Sequence, residues 1–183
     1  MQAIEFEGYR LEHVFGSISD EQAADVARFW LEYGALAKPE IARDRARQAA
    51  WIARNASGDI VSVATLYTAG FGDPPRPHYH YRMFIRPADR RSGLATAVVI
   101  YAREALADAH RPDQAEQGLV IETENAMLMH PGMRQYLKSY LWMYQGRNAN
   151  GMDVWRLDWA RMRPPQHWHE KHGGPAGRPD TAG

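Results

Sequence analysis

Apolar residues recur along the chain in two different periods, and the changes of period divide it into strands and helices. Alternating or short apolar runs predict strands at residues 9–15, 49–55, 60–71, 78–86, 118–124, 140–146 and 151–159. Apolar residues at helical spacing predict helices from about Asp20 to Tyr33, over 39–49, over 96–109, and from near Pro131 to about Ser139. The first helix has a capping-box signal in Ser19 and Gln22, and Ser57-Gly58-Asp59 is typical of a hairpin turn.

The order of these elements is β, α, α, β, β, β, α, β, α, β, β, which predicts a mixed α/β or α+β domain with a sheet flanked by helices. We expect this single domain to cover residues 1–162. Residues 163–183 are rich in Pro, Gly and His and show no period, so we interpret them as a C-terminal tail that is mobile unless it docks.

Composition narrows the class of protein. The 183 residues carry no net formal charge, so nothing in the bulk charge favours nucleic acid or an acidic membrane. The absence of cysteine excludes disulfides, thiolate nucleophiles and thiolate metal sites. The chain shows neither a signal-peptide pattern nor an apolar run of about 18 residues, so we expect a soluble, cytoplasmic protein.

The stretch "RPADRRSGLATAVV" (86–99) places several arginines and a glycine where a strand gives way to a helix. A helix N-terminus exposes unpaired N–H groups, and Gly93 would let the backbone approach a ligand closely. Arg86, Arg90 and Arg91 add charge that is complementary to phosphate. The stretch therefore indicates a diphosphate site, and the alternative is an ordinary strand-to-helix turn with solvated arginines.

The longer segment "MFIRPADRRSGLATAVV" (83–99) resembles motif A of the GNAT superfamily of N-acetyltransferases. In that motif a strand with a proline at its end leads to Arg-x-x-Gly-x-Gly/Ala and an amphipathic helix; here the signature runs from Arg90 to Ala95. The element order over residues 9–159 is also similar to that of the superfamily. The resemblance implies a twisted, mostly antiparallel sheet that splays between its fourth and fifth strands, flanked by about four helices.

The resemblance also implies a co-substrate, acetyl-CoA or another acyl-CoA. Its pyrophosphate would lie on the loop formed by Arg90, Arg91, Ser92, Gly93, Leu94, Ala95 and Thr96. The pantetheine arm would pair with the end of the fourth strand, at Phe84, Ile85 and Arg86, with the N–H near Ile85 polarising the thioester carbonyl. Asn125, after the fifth strand, corresponds to an Asn that often bonds the pantetheine arm.

Two catalytic residues follow from the same comparison. Tyr136 stands in a context similar to the superfamily's Tyr-x-Lys-x-Gly-Phe, whose tyrosine protonates the departing thiolate; Tyr140-Leu141 replaces Gly-Phe, which leaves Tyr140 as a substitute. His80 is our candidate base, because histidine titrates near neutrality. Glu122 and Glu124 are rivals for that role, and the alternative for His80 and its neighbour His78 is a structural one. We also consider Tyr136 as a core aromatic residue.

We therefore expect an enzyme, an N-acyltransferase that transfers an acyl group, most simply acetyl, from acyl-CoA to a primary amine. Attack within a ternary complex is expected because no cysteine can carry the acyl group. The acceptor is a small molecule or a macromolecule, bordered by residues 70–80 and by the second helix. Alternatives are a non-catalytic module that binds CoA or another phosphate ligand, and a relative that modifies base amines of nucleic acids; a homodimer is a further alternative. We expect no metal, since the tail histidines His167, His169 and His172 lack supporting residues.

Overall fold

The computed structural model describes residues 3–90, 92–123, 126–165 and 168, and its strands form one mixed sheet. In chain order the strands are β1 (Ile4–Phe6), β2 (Tyr9–His13), β3 (Ala49–Arg54), β4 (Ile60–Phe71), β5 (Arg76–Ile85), β6 (Gly118–Glu122), β7 (Met143–Arg147) and β8 (Asp153–Asp158). Across the sheet they lie in the order β1-β2-β3-β4-β5-β6-β8-β7. Neighbours are antiparallel except β5 and β6, which are parallel. The predicted mostly antiparallel sheet is confirmed.

Helices cover both faces of this sheet. Within the described ranges they are α1 (Asp20–Glu32), α2 (Pro39–Ala46), α3 (Leu94–Ala109) and α4 (Pro131–Ser139), with short 3-10 turns at Pro87–Asp89, Ala126–Met129 and Trp159–Arg161. The capping box predicted for α1 is present: Ser19 Oγ accepts from the Gln22 amide at 3.1 Å, and Gln22 Oε1 accepts from the Ser19 amide at 3.0 Å. This reciprocal pair satisfies two of the donors that a helix start leaves free.

Two apolar clusters hold the layers together. Helices α1 and α2 pack on one face through residues such as Val26, Trp30 and Ala42, which meet Ile52 and Val63 of the sheet. Helix α3 packs on the other face through a larger cluster that includes Leu94, Ile100, Trp51, Tyr81 and Trp155. We call these the α1–α2 face and the α3 face. Their separation matters because the side chains of β5 alternate between them.

The first strand, β1, was not predicted. It pairs with β2 through a two-residue turn at Glu7 and Gly8, both of which have positive φ, 46° and 83°. Such turns favour Asn-Gly or Asp-Gly, and glutamate rarely adopts this conformation. The pattern around Glu7-Gly8 therefore lacked the usual hairpin signal, although Gly8 is the residue that this turn requires.

Of the predicted boundaries that differ from those observed, three show the reason in their contacts. Helix α2 ends at Ala46, before the predicted 49, because Ala49 already pairs with Thr65 in the sheet. Strand β5 begins at Arg76, because Arg76 and Pro77 pair with Phe71 and Gly70 in a long hairpin rather than forming a loop. Helix α3 begins at Leu94, two residues before the predicted start, because the carbonyl of Gly93 already accepts the amides of Thr96 and Ala97.

The segment after residue 162 contributes to the packing through Trp168. Trp168 is 1% exposed; it stacks on Phe6 with ring centroids 6.2 Å apart and meets Tyr101 edge-on at 5.5 Å. The fully buried Arg103 of α3 reinforces this region by donating to the carbonyls of Tyr140, Arg161, Met162 and Arg163. Trp168, which falls in the predicted tail, thus belongs to the larger core.

Candidate functional site

The two parallel strands separate before β5 ends. Pairing between them covers only Tyr79 to Tyr81 on β5 and Leu119 to Ile121 on β6. Beyond this point β5 stays with β4 as far as Ile85, and β6 stays with β8 as far as Glu122. The predicted splay is therefore confirmed, and it opens a gap beside the last residues of β5.

One backbone edge of β5 is open to this gap. The amide of Arg86 donates to the Val61 carbonyl at 2.9 Å, so even-numbered residues at this end direct their backbone groups toward β4. The backbone groups of odd-numbered residues consequently point into the gap. There the amides of Met83 and Ile85 have no strand partner among the described residues. The Ile85 carbonyl accepts from Arg90 Nε at 3.1 Å, which leaves its amide as the free group.

The N-terminus of α3 supplies a second set of backbone donors. Gly93 caps the helix in the left-handed conformation, with φ 74°. The Leu94 amide lies 3.4 Å from Ser92 Oγ, and Ser92 Oγ donates to the Asp89 carbonyl. Within the described part of the chain, the amides of Gly93 and Ala95 have no hydrogen-bond acceptor. A 16-residue helix thus presents free N–H groups at its positive end.

The arginines of this loop are used differently from what the sequence suggested. Arg86 forms an ion pair with Asp89, a buried residue that also accepts from the Tyr9 hydroxyl at 2.8 Å. Its amide is bonded to Val61, so neither its charge nor its N–H is free for a ligand. Arg90 bonds the Ile85 carbonyl and places its guanidinium 5.9 Å from the centre of the Phe84 ring. Arg91 lies outside the described residues, as does Asn125.

Phe84 has no free backbone edge either. It pairs with Val63 of β4, and its ring packs against Phe29 on the α1–α2 face with centroids 5.6 Å apart. Of the three residues predicted for the pantetheine arm, Ile85 is the one whose amide points into the gap.

The Tyr136 hydroxyl reaches the start of α3. It forms a hydrogen bond of 2.9 Å with Thr96 Oγ1, across 40 residues of sequence, while its side chain remains 39% exposed. The ring of Tyr140 lies 4.7 Å from that of Tyr136. Burial, with a further contribution from the hydrogen bond to Tyr136, raises the pKa of Tyr140 to about 12. The two candidate acids therefore lie together, and Tyr136 is the one bonded to Thr96.

Histidines occupy the opposite, α1–α2 side of β5. His78 and His80 share one face, as predicted, and both are buried. The His78 Nδ1 lies 2.9 Å from the Arg76 carbonyl, and the His80 ring stacks on Tyr67 with centroids 5.2 Å apart. His80 Nε2 has no hydrogen-bond partner among the described residues. Burial lowers the pKa of His80 below 6.5, and the nearby Glu122 carboxylate opposes this shift.

The rival bases are placed as follows. Glu122, at the end of β6, accepts a hydrogen bond from Asn148 Nδ2 and is exposed. Glu124 lies outside the described residues. His80 is thus the neutral, buried candidate, and Glu122 is the solvated one.

The loop at 72–75 is not near the gap. It precedes β5, whose length from Arg76 to Ile85 corresponds to roughly 30 Å. The loop borders a separate cavity of about 530 Å³ that includes Phe71, His78 and Trp159. The long β4–β5 hairpin carries this loop to the far end of the sheet, and the expectation that residues 70–80 border the acceptor stays a prediction.

Sequence reasoning missed a cavity of about 100 Å³ on the α1–α2 face, next to the gap. Two arginines line it, Arg45 of α2 and Arg82 of β5. Arg82 could have been found, since alternation places it on the same face as His80. Arg45 could not be distinguished from Arg43, the other arginine of α2, without its packing. Thr96 was predicted as part of the loop, but its bond to the Tyr136 hydroxyl was not.

Neither a metal site nor a membrane span is found in the described part of the chain. The described residues hold no cluster of three or more His, Cys, Asp or Glu that could bind a metal ion. The tail histidines considered above lie outside them. No helix in the described ranges is long and apolar enough to cross a bilayer.

The fold of the chain is similar to solved structures of acetyltransferases. No protein-family model and no curated protein matches it. The ribosomal-protein-S5-alanine acetyltransferase from Vibrio fischeri matches with a TM-score of 0.59 at 12% identity, over 90% of this chain and 100% of that one. The AtaTR structure bound with acetyl-CoA matches at 0.56 and 12% identity, over 85% and 96%. A GNAT-family acetyltransferase from Listeria monocytogenes matches with a TM-score of 0.51 at 13% identity, over 86% of this chain and 99% of that one.

These likenesses establish the fold. The chain has the GNAT fold, which confirms the resemblance drawn from motif A and from the order of elements. Helix α3 and the loop before it occupy the position that motif A predicted, directly after β5.

The pKa of His80 predicts a pH dependence of stability. Because burial lowers this pKa below 6.5 in the folded state, the unfolded chain takes up the proton more readily, and acidification from pH 6.5 downward should lower the free energy of unfolding. An NMR titration of the histidine ring protons, with His80→Gln to assign the resonance, measures the pKa directly. A His80 resonance that titrates at 6.5 or above would show that burial does not destabilise the charged ring.

Proposed function

We propose that this chain is an acyl-CoA-dependent N-acyltransferase, using acetyl-CoA in the simplest case, that acylates a primary amine by direct attack in a ternary complex. One observation carries the proposal: three groups suited to a thioester with a phosphate tail lie along the same gap. They are the open edge of β5 at Ile85, the free backbone N–H groups at the start of α3, and the Tyr136 hydroxyl, which is hydrogen-bonded to Thr96.

The diphosphate of the co-substrate would lie on the amides of Gly93 and Ala95. Backbone donors at a helix N-terminus bind phosphate without a long cationic side chain. This fits a loop in which Arg86 is already neutralised by Asp89. Gly93 leaves space for the ligand. A Cβ added at this position would have the edge of the Phe6 ring, 3.8 Å away, as its nearest neighbour. Arg91, Ser92, Leu94 and Thr96 complete the proposed loop, and Asn125 keeps the role that the resemblance implies.

The pantetheine arm would add to the open edge of β5. Its amide groups can pair with the outward backbone groups of Met83 and Ile85, as an extra strand pairs with a sheet edge. The Ile85 amide would then donate to the thioester oxygen and stabilise the charge that develops there during attack. A donor of this kind contributes about 3 kcal/mol to lowering a barrier.

Proton transfer would be divided between the two faces of β5. Tyr136, on the α3 side, would donate a proton to the departing thiolate, and its bond to Thr96 holds its hydroxyl near the helix start. His80, on the other side, is held in its neutral form by burial and would accept the proton of the amine, directly or through water. The absence of cysteine supports direct transfer over an acyl-cysteine intermediate.

The structural neighbours support this co-substrate. The AtaT toxin with the C-terminus of AtaR has been solved with acetyl-CoA, and it matches this chain with a TM-score of 0.56 at 12% identity. Another neighbour is a complex of KacTA with DNA, which matches with a TM-score of 0.53 at 10% identity. The macromolecular partners in those structures belong to those proteins; for this chain we propose only the shared donor, acyl-CoA.

Binding of acetyl-CoA tests the proposed cradle. Gly93→Asp should weaken binding about tenfold or more, because a carboxylate would face the diphosphate. Gly93→Asn is the matched control: Asp and Asn are the side chains that best tolerate the left-handed conformation at φ 74°, and they differ in charge. Calorimetry on both variants and wild type gives the dissociation constants.

Gly16→Asp serves as a remote control, since Gly16 has a similar φ of 70° and open surroundings at a turn after β2. Equal affinity in the Asp and Asn variants of Gly93 would contradict a phosphate at this loop. No binding to wild type would refute the transferase and the non-catalytic CoA-binding alternative together.

Kinetics of the Tyr136→Phe variant test the acid. We expect kcat to fall by about a hundredfold or more while the dissociation constant of acetyl-CoA stays unchanged, because the hydroxyl acts on the leaving thiolate. Tyr140→Phe is the control on the same helix and should have a much smaller effect. The reverse ranking would transfer the role to Tyr140, and unchanged kcat in both variants would exclude a tyrosine acid.

A further inference from the structure

The 100 Å³ cavity on the α1–α2 face has the size of a small chemical group. Liquid water occupies about 30 Å³ per molecule, so the space corresponds to roughly three waters. Its lining includes Met83 and Phe84, the residues just before Ile85, and therefore extends along β5 to the gap. A ligand seated in the cavity would lie on the side of β5 opposite α3 and Tyr136.

Two cationic side chains line this cavity without a carboxylate partner. Arg45 is half-buried and Arg82 is exposed, and neither forms an ion pair or a side-chain hydrogen bond with a described residue. No acidic residue belongs to the lining among the described residues. Other arginines nearby are neutralised: Arg47 binds Asp20, and Arg86 binds Asp89. The charge of the cavity is therefore available to a ligand.

The arrangement of the two arginines restricts the kind of ligand. The guanidinium of Arg82 lies over the Tyr67 ring, 4.7 Å from its centre, which orients its planar donor group. Guanidinium donors match the oxygens of carboxylate and phosphate groups, often in pairs. Apart from Thr65, the remaining walls are apolar and include Trp30, Leu36 and Phe84. Such walls displace water and strengthen a charge interaction at the arginines.

We propose that this cavity binds the anionic group, carboxylate or phosphate, of the amine acceptor, through Arg45 and Arg82. The inference rests on the proposed function and specifies its substrate class: a small primary amine that carries an anion a few bonds from the nitrogen. The anion in the cavity would direct the amine along β5 toward the gap and the thioester. The neutral amine nitrogen forms the new bond to the acyl carbon, the thiolate leaves with the bonding electrons, and one proton passes to the base.

A matched panel of amines tests the substrate class. n-Propylamine, ethanolamine, β-alanine and O-phosphoethanolamine share a two-carbon aminoethyl unit and differ in the terminal group. With acetyl-CoA as donor and release of free CoA as the readout, we expect kcat/KM for the two anionic amines to exceed that for the neutral amines by about tenfold or more. The ratio between β-alanine and O-phosphoethanolamine then distinguishes carboxylate from phosphate.

Variants connect that preference to the cavity. Arg45→Gln and Arg82→Gln should each reduce the preference about tenfold or more, mainly through KM, and leave n-propylamine turnover and acetyl-CoA affinity unchanged. Arg43→Gln is the matched control, because Arg43 is exposed on the same helix and does not line the cavity. Direct binding of β-alanine and O-phosphoethanolamine, followed by NMR on each protein, provides a readout without turnover.

The outcomes distinguish failure of the anion site from failure of the transferase. Acetyl-CoA binding with equal use of neutral and anionic amines, or an anionic preference that survives both Gln variants, would overturn the anion site and leave the transferase intact. Absence of acetyl-CoA binding would refute the transferase. In that case, binding of the anionic amines that depends on Arg45 and Arg82 would still support the cavity as an anion site, and no such binding would overturn it.

Discussion

The structure depends on one break in pairing, the point after Tyr81 and Ile121 where β5 and β6 part. Beyond this point β5 remains paired with β4, and β6 remains paired with β8. Both strands therefore keep their extended conformation past the break. It leaves amides of β5 without a strand partner in the middle of the sheet. Such an edge is unfavourable unless a ligand or water satisfies it, which is why we propose the gap as the binding site of the acyl donor.

The same break divides the proposed chemistry between two faces. Alternation along β5 directs His80 and Arg82 to the α1–α2 face, and the backbone groups of Met83 and Ile85 into the plane of the gap. Tyr136 reaches the gap from the α3 side through Thr96. Buried Arg103 supports that side, because it binds the carbonyl of Tyr140 at the end of α4. The acid Tyr136 and the amine acceptor would therefore approach the thioester from opposite sides of one strand.

Much of this architecture could be predicted from the sequence, because its signals are local. The capping box of α1, the start of α4 at Pro131 and the alternation of β5 follow from neighbouring residues. The functions of individual charges could not be predicted. Arg86 and Arg90 look equivalent in sequence, yet one binds Asp89 and the other the Ile85 carbonyl. Arg45, Arg82 and Trp168 acquire their environments from contacts between elements distant along the chain.

Amide hydrogen exchange, measured residue by residue with and without acetyl-CoA, tests the central claim that the gap beside β5 binds the acyl donor. The account predicts that acetyl-CoA slows exchange at the amides of Met83, Ile85, Gly93 and Ala95, the donors left free by the splay and by the start of α3. Slowed exchange confined to Gly72 and Asp73, beside the 530 Å³ cavity at the other end of β5, would contradict it.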